Sequence, residues 1–247
     1  MKILVCISHV PDTTTKIQFE PDKSGINKSG VTFVINPYCE YGLSKALDLR
    51  EAGHPVTQIT ALCVGGPEVE PTLRKALAIG ADDAVQIDSH PGDSAYTARQ
   101  IAEYAKGKEF QLIFTGKESI DFNSGLVPGM VADLMGYTYV PSATHLELSG
   151  ADKALAHREV DGGAEVLEVR LPAVISCQKG ISEWRIPNMR GIMASRKKPL
   201  AVVAPVPVKE YVKTLHFDYP PAKGGCQYVP ADQPAQLVQA LANKGLI

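Results

Sequence analysis

Lys117, Glu118, Asp121, Asn123 and Ser124 crowd into one polar stretch, bracketed by Gly116 and Gly125. An apolar run of strand length, Phe110–Thr115, precedes them, and an apolar, helix-like stretch follows from Leu126. A lysine in such a place can balance phosphate charge. Asp121 and Asn123 can bind ribose hydroxyls or cap the helix. A buried parallel strand, a loop of small residues and a helix start collect free backbone N–H groups and the positive end of a helix dipole, which suits a phosphate. The segment therefore suggests a nucleotide site. An ordinary strand–loop–helix joint, with Asn123 or Ser124 as N-cap, is the competing reading.

Three more stretches have related character. Asn36-Pro37-Tyr38-Cys39 opens a helix directly after a strand-like run, with Asn as N-cap and Pro at the first helical position. Gly65-Gly66 follows another strand, and Cys6-Ile7-Ser8 ends the first one. In a doubly wound sheet these loops all leave strand C-termini and gather on the edge where open α/β sheets hold ligands. No G-x-G-x-x-G follows the first strand and no G-x-x-x-x-G-K-[ST] occurs. There is no G-x-S-x-G elbow, and the six histidines lack H-x-H or H-E-x-x-H spacing. Such a site without catalytic groups points to a structural ligand or a carrier role.

The bulk numbers narrow the class. The 247 residues can bury a full core, and a net charge of −2 gives no electrostatic footprint for nucleic acid. No apolar run approaches the roughly 20 residues that span a bilayer, so membrane insertion is not expected. Met1-Lys2 leads straight into a strand-like run too short for a signal peptide. Five widely spaced cysteines without C-x-x-C argue for free thiols in a reducing compartment. The expectation is a cytoplasmic protein.

The elements that must position these loops alternate in type. Ile3–Ile7, Thr32–Ile35, Val56–Val64, Ala84–Ile87 and Phe110–Thr115 read as strands. Between them, helical spacings run through Leu43, Ala46 and Leu47, through Leu73, Ala76 and Leu77, and over Ser94–Lys106. This alternation implies βαβ units and a parallel sheet with helices on both faces. After Gly136, short runs punctuated by Ser149-Gly150 and Asp161-Gly162-Gly163 look like an added antiparallel meander or hairpin, and Pro172–Ser176 could return to the main sheet. Gly180–Lys198 has no clear periodicity; it mixes Trp184, Ile186, Met189, Ile192 and Met193 with arginines and lysines. That mixture suits either a partner-docking loop or a loop packed into its own domain. Pro199–Pro207 is strand-like. The last forty or so residues are irregular, end in a short helix at Pro234–Ala242, and have too little core to stand alone.

The ordered motifs resemble one family, the beta (small) subunit of electron-transfer flavoprotein. They are Val10-Pro11-Asp12 after the first strand, VINPYCEYGLSKAL (Val34–Leu47), LRKALAIGADDA (Leu73–Ala84), LIFTGKESID (Leu112–Asp121), REVDGGAEVLEVRLPAVIS (Arg158–Ser176) and the segment Glu183–Lys198. The resemblance covers nearly the whole chain. It implies a doubly wound, mainly parallel α/β sheet of the adenine-nucleotide-hydrolase type, with an antiparallel hairpin at about 142–171 and a recognition loop at 183–198, all within residues 1–204. Residues 205–247 would form an arm packing on a larger alpha subunit. That alpha subunit would hold most of a redox FAD, while this chain would bury an AMP without a redox role. The pair would carry electrons from acyl-CoA dehydrogenases of fatty acid β-oxidation, and related dehydrogenases, to a quinone oxidoreductase.

Carried over, AMP would contact Cys6, Asn36, Pro37, Tyr38, Cys39, Val64, Gly65, Asp121, Asn123, Ser124, Gly125, Leu126, Val127, Pro128 and Ala132. Tyr38 would sit near the dimethylbenzene edge of the FAD. Arg185, Ile186, Pro187, Met189, Ile192 and Met193 would dock dehydrogenases, with Met189 as the apolar anchor. Many relatives carry D-G-D or D-D-D and then Gln in the nucleotide loop; here Asp121-Phe122-Asn123 and Leu126 take those positions. Thr13 stands where some relatives have an aromatic residue near the flavin. Two alternatives stay open: a flavin-bifurcating subunit with a second FAD and NADH as donor, and a stand-alone adenine-nucleotide-binding enzyme or sensor.

Overall fold

Alternating β-branched runs and helical spacings do become βαβ units. The computed structural model describes all 247 residues. The chain runs β1 (Lys2–Cys6), β2 (His9–Pro11), β3 (Phe33–Ile35), α1 (Pro37–Glu51), β4 (Gln58–Val64), α2 (Glu70–Ile79), β5 (Asp83–Ile87), α3 (Ser94–Ala105), β6 (Phe110–Gly116) and α4 (Leu126–Met135). It continues through β7 (Thr138–Leu148), β8 (Lys153–Val160), β9 (Gly163–Arg170), β10 (Ala173–Cys177), α5 (Met189–Ser195), β11 (Leu200–Val203) and α6 (Pro234–Asn243). Nine strands form one sheet in the order β11-β5-β4-β1-β6-β10-β7-β8-β9. All neighbours from β11 to β7 are parallel, and β8 and β9 add an antiparallel meander.

Alternation along the strands divides the core in two. Ile3, Val5, Leu112 and Phe114 pack with α1 and α2 on one face. Leu4, Ile113 and Val174 pack with α3 and α4 on the other. The central strands are buried on both faces, which explains their nearly continuous apolar sequence. The segment from Pro172 returns as β10 and pairs with β6. No helix is long and apolar enough to cross a membrane.

Two readings of the sequence change. The run at Thr32–Ile35 is not in the main sheet; β3 pairs antiparallel with β2 in a separate ribbon, His9 opposite Ile35. Three alternating residues cannot announce which partner they find. The aperiodic stretch 180–198 contains α5, whose Asn188 N-cap accepts a 2.8 Å bond from Gly191 N. A one-face stripe is invisible there because Met189 and Met193 point outward.

The chain divides into two compact units, one of Met1–Gln18 and Asn27–Leu215, the other of Phe19–Ile26 and His216–Ile247. In the smaller unit Phe19 pairs with Ile26 across a turn, and its ring stacks on Phe217 and lies tilted against Tyr219. An ion pair joins Lys23 to Asp218. α6 begins with Pro234 and buries no residue, leaving Leu237 and Val238 about half exposed.

Candidate functional site

β1 and β6 are neighbours, yet the helices that follow them, α1 and α4, pack on opposite faces of the sheet. Their C-terminal ends therefore open a crevice where the winding reverses, the place α/β sheets offer a ligand. Cys6 ends β1, Val64 ends β4 with Gly65 just beyond it, and Gly116 ends β6 on this edge. Cys6, Val64 and Gly65 are buried.

Asn36 organises the edge. It is fully buried and occupies the N-cap position of α1, but its side chain makes no capping bond. Its Nδ2 instead donates to the Glu118 carbonyl oxygen at 2.8 Å, and its Oδ1 accepts from Ile120 N at 3.3 Å. Nδ2 also lies 3.2 Å from Cys39 Sγ. The expected capping asparagine is thus a strap across the loop after β6. Pro37 supplies the fixed φ that starts α1 without a side-chain cap. Gly116 makes the approach possible, since a Cβ there would lie 2.8 Å from Asn36 Nδ2 and 2.9 Å from Tyr38 Cβ. Tyr38 is half-buried, with Lys117 Nζ 4.9 Å from its ring centroid, and Lys117 pairs with Glu118 at 3.5 Å. That lysine therefore has local partners besides any phosphate.

The loop closes on itself through Ser119 N donating to Ser124 O at 3.1 Å. Asp121 accepts from Ser119 Oγ and, at 3.0 Å, from Phe122 N, both on Oδ1. Asn123 is left-handed at φ +51°, a conformation asparagine tolerates. Neither Asn123 nor Ser124 caps α4. Its N-cap residue is Gly125, which has no side chain to cap with. Ser124 Oγ instead bonds Ser94 Oγ at 2.8 Å. The first N–H groups of α4, at Leu126 and Val127, have no intrahelical acceptor, and Pro128 carries none. Leu126 is exposed, whereas Pro128 and Ala132 are buried. At the end of β6, Thr115 Oγ1 is buried and lacks a hydrogen-bond partner.

These features fit a nucleotide. The uncapped helix start offers donors and positive potential to a phosphate. The second Asp121 oxygen and the Asn123 amide remain for hydroxyls. Thiol chemistry is a poor match for the edge. Burial pushes the Cys6, Cys39 and Cys63 thiols up, so none is a ready thiolate. Sequence reasoning missed two supports after β4 and β5. Buried Gln86 donates to the Gly65 carbonyl at 3.2 Å, and Asp93 caps α3 at Tyr96 N while its second oxygen accepts from Tyr211 N and Val212 N. The loop composition around Asp93-Ser94, a cap pair opening a helix, was the available signal.

The segment 180–198 lies away from this edge and is built differently. Arg185 donates to Glu51 (2.6 and 2.8 Å) and to Asp48 (2.5 Å) at the end of α1. Ser182 Oγ donates to Asp48 as well. Lys198 Nζ donates to the Leu77 and Ala81 carbonyls at the end of α2, and Arg74 donates to the Ser195 and Lys198 carbonyls. Gly191 meets α2 so closely that a Cβ would overlap the Ala78 carbonyl oxygen. With its backbone held, the segment leaves Trp184, Ile186, Met189 and Met193 more than half exposed, Ile192 somewhat less. Arg185 thus spends its guanidinium within the chain, and Pro187 is half-buried beside the exposed residues.

A family model described as the electron transfer flavoprotein domain matches residues 24–208. A protein named electron transfer flavoprotein subunit beta from Syntrophomonas wolfei is 38% identical over 224 residues, 90% of this chain and 87% of its own. Its Bacillus subtilis namesake is 35% identical over an alignment of 261 positions, covering 100% of both chains. The mouse namesake is 33% identical over 233, 90% of each.

Proposed function

The chain belongs to the electron transfer flavoprotein family, on its beta-subunit side, and from that premise we propose that it is the non-catalytic small subunit of an electron-carrying heterodimer. Its partner is a larger alpha subunit that holds most of an FAD, and the FAD supplies the redox chemistry. This chain holds a structural AMP at the β1/β6 crevice. The observation that carries the reading is the Asn36 strap over the loop after β6, which sets that loop beside an uncapped helix start.

Each part of the chain then has a task. The N–H groups of Leu126 and Val127 take the phosphate, and Asp121 with Asn123 takes ribose hydroxyls. Asn123 and Leu126 stand where many members carry a carboxylate and an amide, so backbone donors do more of the binding here. Tyr38 screens the flavin edge from water. The apolar face of 184–193, anchored by Met189, docks acyl-CoA and related dehydrogenases, with Arg190, Arg196 and Lys197 as an exposed basic rim that steers a transient complex. Arg185 holds that face in place. The exposed apolar residues of the arm, including Leu237 and Val238, are covered by the alpha subunit. Electrons leave for a quinone oxidoreductase, and the work is done in the bacterial cytoplasm.

The test is coexpression with the large subunit. A yellow heterodimer that an acyl-CoA dehydrogenase reduces in the presence of its substrate is expected. A stable monomer that binds no partner and turns over ATP would overturn the proposal.

A further inference from the structure

β7 and β8 do not pair in a single register. Ala143 faces Arg158, but two residues later His145 faces His157, so β7 spends one extra residue, Thr144, over that interval. Had the register run on unbroken, Thr144 would face His157 and His145 would face Ala156. Side chains alternate between faces along a strand, so the two imidazoles would then lie on opposite sides of the sheet. The bulge puts them on the same side as direct cross-strand neighbours. Their ring centroids are 4.8 Å apart with planes at 43°.

The arrangement is fixed from both directions. Thr144 Oγ1 donates to the His157 carbonyl at 3.3 Å, tying the extra residue to the partner strand. On the opposite face Leu146, Leu148, Ala154 and Ala156 are buried in the core, which locks the shifted register. Glu147 follows His145 on the same face, its Oε2 3.9 Å from His145 Nε2. Both side chains are open to solvent, 48% for His145 and 70% for Glu147.

We propose that His145 and His157, with Glu147 as a third donor, bind a divalent first-row transition ion of the zinc class on this face. Imidazole nitrogens and a carboxylate oxygen are the donors such ions prefer. A Zn–N bond of about 2.0–2.1 Å requires the two donor nitrogens to stand within about 3–3.5 Å of each other, which rotation of cross-strand rings about their χ angles supplies. As the side chains lie, no three His, Cys, Asp or Glu groups stand where they could hold a metal ion, so binding requires both imidazoles and Glu147 to turn toward the ion, with water filling the remaining positions. The bound ion cross-links β7 to β8 and stabilises the folded meander by mass action.

Zinc alone is the probe, titrated by calorimetry into the heterodimer purified without a histidine tag. One zinc per copy of this chain is expected, with His145→Gln and His157→Gln each weakening it at least tenfold and Glu147→Gln weakening it less. Because His145 and Glu147 are exposed, their zinc-free variants should melt with the wild type, and zinc should raise the melting temperature of the wild type more than that of either histidine variant. Absence of zinc uptake by the wild type would overturn the proposal. So would a His145→Gln, His157→Gln double variant that binds zinc like the wild type.

Discussion

The loop after β6 and the segment 180–198 are both irregular chain held by side-chain hydrogen bonds, and they present opposite things. In the first, Asn36 satisfies the Glu118 carbonyl and the Ile120 N–H, and what is left open is backbone, the uncapped start of α4. In the second, Arg185, Arg74 and Lys198 satisfy backbone carbonyls and carboxylates of α1, α2 and α5, and what is left open is apolar side chain. Polar groups in both places are consumed in positioning. The residue types that remain, N–H donors in one case and Met, Ile and Trp in the other, set the kind of ligand each can take: an anion or a protein.

If that division holds, damage to either region has its own signature. The largest effect is expected from Asn36→Leu. It leaves the half-buried Glu118 carbonyl and Ile120 N–H without their partner, at no more than about 1–3 kcal/mol each, and frees the loop. Chemical denaturation should show the lost stability, and the purified complex should lose at least tenfold in nucleotide retention. Met189→Glu comes next. Truncating or charging a central apolar anchor costs about 2 kcal/mol or more, so kcat/KM for electron transfer from a dehydrogenase should fall at least tenfold with nucleotide and flavin content unchanged. An unchanged rate would remove the docking role. Gly191→Ala pushes α5 off the Ala78 carbonyl at a cost of about 1–3 kcal/mol in packing strain. It should weaken dehydrogenase docking by a raised KM more than a lowered kcat.

The smallest effect belongs to the Arg185 clamp, because its partners are exposed and such pairs are worth under about 1 kcal/mol. The hydrogen bond from Arg185 holds the Glu51 carboxyl below the usual glutamate range. Its contribution is therefore complete above the unfolded pKa of about 4.3 and fades as pH falls through the lower folded value. Arg185→Gln should flatten that acid-side loss in a stability-against-pH series and leave the neutral-pH fold intact. If the two profiles superimpose, the clamp has no energetic role.

Much of this was legible in the sequence. The β-branched runs at Ile3–Ile7, Val56–Val64 and Phe110–Thr115 name their strands because burial on both faces demands continuous apolar chain. Gly150 and Gly162-Gly163 mark the meander turns. What stayed hidden depends on long-range partners or on function. Asn36 read as a cap because a helix starts after it, but its acceptor lies 82 residues away. α5 was unreadable because its large apolar residues face out, so no inward stripe exists. The bulge at Thr144 leaves no local signal; it follows from how β7 leaves a parallel partner for an antiparallel one.

The central claim, that the strapped edge holds a nucleotide with no redox part while a partner subunit supplies the flavin, comes down to one ligand census. Denaturing the tag-free heterodimer and identifying the released small molecules by mass spectrometry should give one AMP and one FAD per pair. Two FAD and no AMP would contradict it, and would make the crevice beside Asn123 and Leu126 a second flavin site.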